Sequence, residues 1–492
     1  MDLSHHDSWK ITPLQKALMI AAMLAGAFMG IMNETLLVTA LPTIMDVFSL
    51  TESKVQWLTT VFLLTNGIMI PISAFFIEKF TTRGLFLTSI GLFGVGTFIA
   101  SLAPSFGFLV LARIVQATGS GIMLPLLMTV LLAVIPVKRR GLAMGLMGIV
   151  ISFAPAIGPT LSGWLLHHFE WRSLFFTMLP IVVIAMTLAF FSVKNVTEQS
   201  NPKIDIPSIL LSSFGFGGIL YGFSALAEKG WSHPIVLLTI SGGAVILFFF
   251  IRRQLQMDQP MLEFRVFQFP VFTLSVIITM AALISMIGAE TLLPLYMQTV
   301  RDFTPLESGL MLLPGAIVIG VMSPITGHLF DTFGAKWLAI TGLAIVTVTT
   351  FLFTRLTLDT PYVYMTTIYA IRMFGLSFAM MPVVTSALNQ LPPKWYAHGS
   401  AMMNTMQQIS ASIGTAILVT SMSIGAAWYE PPASLIAAGD EATILQLAQL
   451  NGYHWAFIGS TILALIAFLL SLFINEKKEP RVESIEQQVV HE

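Results

Sequence analysis

Gly327-His328-Leu329-Phe330-Asp331-Thr332-Phe333-Gly334-Ala335-Lys336 closes one long apolar run of this chain, and Ala74-Phe75-Phe76-Ile77-Glu78-Lys79-Phe80-Thr81-Thr82-Arg83 closes another. Both segments set a small residue four positions before an acid and a basic residue five positions after it. A pattern of this length repeated at matching helix ends is the mark of an internal duplication, and duplicated halves of apolar helices are a transporter architecture.

Working outward, runs of about 18 or more apolar residues mark membrane spans. They fall at 17–41, 56–77, 85–103, 106–132, 141–166, 172–193, 207–226, 234–251, 269–297, 306–330, 336–355, 361–390, 398–427 and 453–474. The expected fold is therefore all-α and integral to the membrane, with 14 transmembrane helices. The division reads as a six-helix half at 1–193, two central linking helices at 194–268, a second six-helix half at 269–475 and a cytoplasmic tail at 476–492. The run after the polar segment Met1 to Lys16 is too long for the apolar part of a cleavable signal peptide. The segment from Tyr429 to Gly452 is expected to be a longer outside loop.

Composition agrees. Of 492 residues 55% are hydrophobic and 10% charged, where a soluble domain carries about 25% charged residues. Too few charges remain to cover a soluble surface. The net charge of -1 points to no nucleic-acid partner, and the lack of cysteine excludes disulfides and thiolate metal sites. With the N-terminus inside, the inside loops carry Lys10, Lys16, Lys79, Arg83, Lys138, Arg139, Arg140, Lys194, Lys203, Arg252, Arg253, Arg265, Lys336, Lys394, Lys477, Lys478 and Arg481. The outside loops carry Lys54, Arg172, Lys229, Arg301 and Arg355. Seventeen against five sets both termini in the cytoplasm of a multi-pass inner (cell) membrane protein.

Four charged residues stand out well away from the ends of apolar runs: Glu34, Arg113, Glu290 and Arg372. A charge in hydrocarbon is costly unless paired or wetted, so each is a functional candidate. Glu34 and Glu290 sit in the outer parts of the first and ninth runs, at nearly the interval that separates the two loop segments. They are candidate repeat mates flanking a central cavity. A carboxyl in low dielectric keeps its proton to higher pH than in water, as a proton carrier requires. Arg113 cannot give up its proton, so its role is to tune a nearby carboxyl or to brace helices. Arg372 is its candidate mate, with a less regular interval. Asn33, Gln116, Asn404, Gln407 and Gln408 are candidate cavity residues or interhelical glue. Trp57 and Tyr296 are candidate stacking rings, or interface anchors. His5, His6, His167, His168 and His454 read as loop or interface residues, not metal ligands.

The chain resembles the major facilitator superfamily over nearly its whole length, and within it the fourteen-helix drug:proton antiporters of the EmrB/QacA type, which include exporters conferring lincomycin resistance. The loop motif Gly-x-Leu-x-Asp-Arg-x-Gly-Arg-Lys is matched at Gly327, Leu329, Asp331, Gly334 and Lys336; in the first copy Ala74, Glu78 and Thr81 replace Gly, Asp and Gly. Arg113-Ile114-Val115-Gln116-Ala117 resembles the Arg-x-x-Gln-Gly motif of the fourth helix. Gly158-Pro159-Thr160-Leu161-Ser162-Gly163 resembles the Gly-Pro-x-x-Gly-Gly motif of antiporters. Asn33-Glu34-Thr35 resembles Asp-x-Thr with the acid one place later, and Trp171-Arg172-Ser173-Leu174-Phe175 resembles Trp-Arg-Trp-x-Phe.

The resemblance implies export of amphipathic drugs or toxic compounds from the cytoplasm or inner leaflet, coupled to proton entry by alternating access. It assigns proton coupling to Arg113, beside Glu34 and Glu290 as the acid candidates read from their place in the apolar runs; Asn33, Gln116, Arg372, Asn404 and Gln407 are the cavity candidates. It assigns stiffness and sealing of the fifth helix to Gly158, Pro159 and Gly163, and state-dependent loop contacts to Glu78, Arg83, Gly327, Asp331, Gly334 and Lys336. No cofactor is expected, since the proton gradient drives the cycle. The partners are the bilayer, protons and a small amphipathic substrate; a periplasmic adaptor is unreadable. Export of a lipid or anionic metabolite is the alternative. An integral-membrane enzyme fits less well, because no acid-rich pair, P-loop or zinc motif is present.

Overall fold

The computed structural model describes residues 12–197, 199–200, 202, 204–438 and 440–475. His5, His6, Lys10, Lys203 and the expected tail at 476–492, with Lys477, Lys478 and Arg481, lie outside the described residues. Among those described there is no β-strand. Fourteen helices are long and apolar enough to cross a membrane, and they match the fourteen apolar runs one for one.

We number these helices α1 (Pro13–Val38), α2 (Trp57–Lys79), α3 (Thr82–Ser101), α4 (Phe106–Val134), α5 (Arg140–His168), α6 (Ser173–Ser192), α7 (Ile206–Lys229), α8 (Pro234–Gln256), α9 (Pro270–Thr299), α10 (Pro305–Phe333), α11 (Ala335–Phe353), α12 (Tyr362–Asn389), α13 (Tyr396–Ala427) and α14 (Glu441–Ser471). Local chemistry sets several starts. Thr12 with Gln15 and Thr304 with Glu307 form capping boxes at α1 and α10, each satisfying two otherwise orphaned N–H groups. Pro71, Pro125, Pro155, Pro159 and Pro382 lie inside helices, where neighbouring helices can re-satisfy the freed carbonyls.

The packing pattern occurs twice. α1 packs on α4, α5 and α6, and α9 packs on α12, α13 and α14; α3 packs on α4 and α6, and α11 on α12 and α14. The two sets meet through α5 against α10 and through α2 against α13. α7 pairs with α8 and also lies along both α2 and α13, so the central hairpin covers one of the two seams.

The last helix departs from its apolar run. It begins at Glu441, inside the segment expected to be loop, because Asp440 caps it by accepting from Thr443 N–H at 3.1 Å. The added polar turns are held by Gln446 Nε2 donating to Val300 O at 2.7 Å and Asn451 Nδ2 donating to Gly425 O at 2.7 Å. A short helix, Ala433–Ala438, precedes it.

Both loop segments quoted first lie at one end of the bundle, here called the basic end. There α5 and α10 touch backbone to backbone. A Cβ on Gly327 would collide with the Gly141 carbonyl, and one on Gly145 with the Ser323 carbonyl. Gly163 and Gly309 lie five turns further along the same two helix stripes, at about 18 residues and 3.6 per turn. A Cβ on either would meet nothing within 4 Å. The α5–α10 seam is therefore closed at the basic end and open at the other.

Candidate functional site: two acid–arginine pairs and a latch

Arg113 is 1% exposed in α4. Its Nε donates to Leu58 O at 3.1 Å, its Nη1 to Gln116 Oε1 at 3.1 Å, and its guanidinium lies 4.0 Å from the Phe62 ring centroid. Gln116 also accepts from Asn33 Nδ2 at 3.3 Å and donates to Thr97 Oγ1 at 2.9 Å. Four helices, α1, α2, α3 and α4, are thus joined by one buried polar network. The remaining donor, Arg113 Nη2, is buried without a partner, as is Asn33 Oδ1. Glu34, half-buried one residue along α1, lies within electrostatic reach of Arg113.

The other half repeats the arrangement with different partners. Arg372 is fully buried in α12. Its Nε donates to Thr350 Oγ1 at 3.1 Å, and its Nη2 to Ser285 O at 2.7 Å and Ser285 Oγ at 3.2 Å. Its Nη1 is buried without a partner. Glu290, half-buried on α9, lies within electrostatic reach of Arg372, and Tyr369 within reach of both. So the acid of the first helix of each half faces an arginine of the fourth. Thr97 and Thr350, on the third helix of each half, occupy matching places.

The other candidates scatter. Asn404 is buried and donates to Ser400 O at 2.8 Å and to the Met128 sulfur at 3.1 Å, joining α13 to α4. Gln407 is half-buried next to it on α13. Gly158 packs on α1 at Thr35 and Leu36, whereas Gly163 faces open space, so close packing of α5 reaches only part of the motif. Tyr296 is not an available stacking ring: it is fully buried and its hydroxyl donates to Thr357 O. Trp57 stacks on Tyr221 of α7, with ring centroids 5.9 Å apart.

The loop segments form a latch at the basic end. Asp331 Oδ1 accepts from Gly141 N–H at 2.7 Å and Oδ2 from Leu142 N–H at 3.0 Å. A carboxylate at the first turn of α5 satisfies orphaned donors and meets the positive end of the helix dipole. In the other copy Glu78 Oε1 accepts from His398 Nε2 at 2.8 Å. His398 Nδ1 accepts from the Glu263 N–H at 3.3 Å. A backbone amide can only donate, so the proton of this imidazole sits on Nε2.

Gly334 ends α10 at φ 78°, a left-handed turn suited to glycine. Its counterpart Thr81 instead has φ -62° and caps α3 through Gly84 N–H. Arg83 lies over the Phe190 ring at 4.7 Å, and Lys336 is in no ion pair among the described residues. Arg140, read from sequence only as a loop charge, is 6% exposed. It donates to Asn389 Oδ1 at 2.8 Å, to Tyr396 OH at 3.1 Å and to Leu132 O at 2.6 Å, and so ties α5 to α12 and α13. The signal for it was available: Arg140 and Tyr396 open corresponding helices of the two halves.

Comparison with known proteins agrees with this fold. The family model for the Major Facilitator Superfamily matches residues 23–415. The chain is 48% identical over 468 residues to the uncharacterized MFS-type transporter YcnB of Bacillus subtilis, covering 95% of this chain and 97% of that one. It is 43% identical over 472 residues to the lincomycin resistance protein LmrB of Bacillus subtilis, covering 96% and 97%. Among solved structures, the human organic anion transporter MFSD10 superposes with a TM-score of 0.67 at 11% identity, over 94% of this chain and 100% of that one; at that identity it speaks for the fold alone. With its duplicated six-helix packing and a family model spanning most of its length, this chain belongs to the major facilitator superfamily of membrane transporters.

Proposed function

We propose that this transporter is a proton-coupled exporter of amphipathic compounds, working by alternating access in the cell membrane with its basic end in the cytoplasm. The observation that carries the reading is that half-buried Glu34 lies within electrostatic reach of a buried Arg113 whose Nη2 is unpartnered. An ionised Glu34 can take that donor; a protonated one releases it. Arrival of a cationic compound favours the ionised carboxyl and expels the proton, so the two cargoes exchange by competition. With its basic end closed and facing the cytoplasm, this conformation reads as the one open to the outside, where a proton enters Glu34. Latch opening and closure of the Gly163–Gly309 end complete the cycle. No cofactor takes part in this scheme.

Relatives named for lincomycin resistance support lincomycin as one cargo. The test is ethidium uptake into energised inverted vesicles, with and without a proton-gradient collapser, in wild type and Glu34→Gln, alongside lincomycin susceptibility of a sensitive host. Gradient-dependent uptake lost in the variant supports the reading. Uptake indifferent to both gradient and variant refutes the coupling. The unpartnered N–H groups of Arg113 and Arg372 also suit an anionic cargo, so export of an anionic dye in place of ethidium would favour that second reading.

A further inference from the structure

We propose that Glu290 with Arg372 is a second proton site, separate from Glu34 with Arg113, so that two protons enter per cycle and export of a monovalent cation is electrogenic. This rests on the proton-coupled reading above and adds its stoichiometry.

The geometry argues for two independent sites. Each acid stands on the first helix of its own half and each arginine on the fourth, and each arginine is held by groups of its own half alone. Arg113 is fixed by Leu58 and Gln116, Arg372 by Ser285 and Thr350. Ser460 of α14 backs the second site by meeting Ser285 Oγ at 3.0 Å. The two sites therefore share no hydrogen bond. Each arginine is at least nine-tenths buried and carries one unpartnered terminal NH2 group, Nη2 on Arg113 and Nη1 on Arg372. Such a donor is costly unless something periodically takes it, and each has one acid within reach.

The charged and titratable groups acting on Glu290 are Arg372 and Tyr369 of α12; α10, α13 and α14, also packed on α9, add none. For Glu34 the acting charge is Arg113 of α4, and α5 and α6 add none. Neither carboxyl acts on the other, so loading one does not forbid loading the other. The protons simply bind as carboxylic acids and leave as they came. Two entering with one monovalent cation leaving moves one net positive charge inward. An exchange through Glu34 alone would move none, and would ignore the membrane potential.

The experiment uses full-length protein in de-energised inverted vesicles at equal pH on both sides, with ethidium as probe. Valinomycin and an inward potassium gradient make the lumen positive, which opposes passive entry of the dye. Two-for-one exchange concentrates ethidium in the lumen, by about 50-fold per 100 mV for the one net charge moved. Glu290→Gln is expected to lose this potential-driven uptake while keeping uptake driven by a pH gradient. Wild-type uptake that follows pH but ignores potential overturns the proposal and leaves the exporter standing.

A second measurement needs no transport. Infrared pH titration of purified protein is expected to show two membrane-interior carboxyls gaining protons, one absent in Glu34→Gln and the other in Glu290→Gln. A titration in which only Glu34→Gln removes a carboxyl overturns the second site even if ethidium is no substrate.

Discussion

The Asp331 carboxylate accepts the Gly141 N–H at 2.7 Å, so the end of α10 in one half caps the start of α5 in the other. A charge-assisted bond is worth about 1.5–3 kcal/mol, and it exists only while the basic end is closed. Asp331→Asn keeps the shape but loses the charge. The variant is expected to shift the balance of states toward an open basic end by about tenfold, since 1.4 kcal/mol is tenfold. The chain has no cysteine, so spin labels at single cysteines introduced at Lys138 and Lys336 report the distance cleanly. An unchanged distance distribution would remove Asp331 from the latch.

Glycines on the α5–α10 seam make a reciprocal prediction. Gly327 is in backbone contact with Gly141, while Gly163 faces space. A leucine at 327 holds the basic end apart, and overpacking of this kind costs about 1–3 kcal/mol. A leucine at 163 is tolerated in the conformation described but blocks closure of the far end. Both variants are expected to stop export, with opposite thiol-accessibility patterns at cysteines placed near the two ends. Matching patterns in the two variants would show that the seam does not alternate.

The spans were legible because hydrocarbon demands apolar runs about 20 residues long, and few other features satisfy that demand fourteen times. The four intramembrane charges were legible for the same reason. Their partners were not. Thr97, Ser285 and Thr350 are short hydroxyls within helices, a residue type that bonds its own preceding turn as readily as a neighbour. Thr349, one position from Thr350, does so by donating to Ile345 O. Arg140 and His398 were hidden in a different way: each lies at a helix start, where charge is read as a loop signal, and only the packing of the two halves buries them. The long polar start of α14 escaped because its turns are held by hydrogen bonds to the ends of α9 and α13, so no apolar run marks it.

The base of the central hairpin should respond to acid. Asp205 forks onto Arg253, with Nε at 2.8 Å and Nη2 at 2.9 Å. The Arg253 hydrogen bond, more than the partial burial that opposes it, holds the Asp205 carboxyl below its ordinary value of 3.8. A depressed native value means the stabilisation is fully present above the unfolded-state value and is lost as pH falls through the native one. With Arg253 43% exposed, solvent screening keeps the contribution of the pair small. Hydrogen exchange in the first turn of α7 is expected to be faster in Asp205→Asn than in wild type at pH 7. The protection factors of the two are expected to converge as the pH falls below the ordinary carboxylate value, where the wild-type carboxyl also gains its proton. Equal protection at pH 7 would show that the fork contributes nothing.

Gln116 separates the structural part of the first acid–arginine site from its charge. It accepts from Arg113 and Asn33 and donates to Thr97, all in a buried network. Gln116→Leu strands two buried donors, at about 1–3 kcal/mol each, and is expected to lower the thermal midpoint by several degrees. Gln116→Glu preserves the acceptor for Arg113 and is expected to recover much of that stability. It also sets a permanent rival to Glu34 beside the guanidinium, so gradient-driven ethidium uptake should fall at least tenfold in a protein that is well folded. If Gln116→Glu transports as wild type, the charge on Arg113 does not govern Glu34, and the arginine is a brace between α1, α2, α3 and α4. Loss of transport without loss of stability assigns it to the coupling, because a brace that still holds has no other way to stop the cycle.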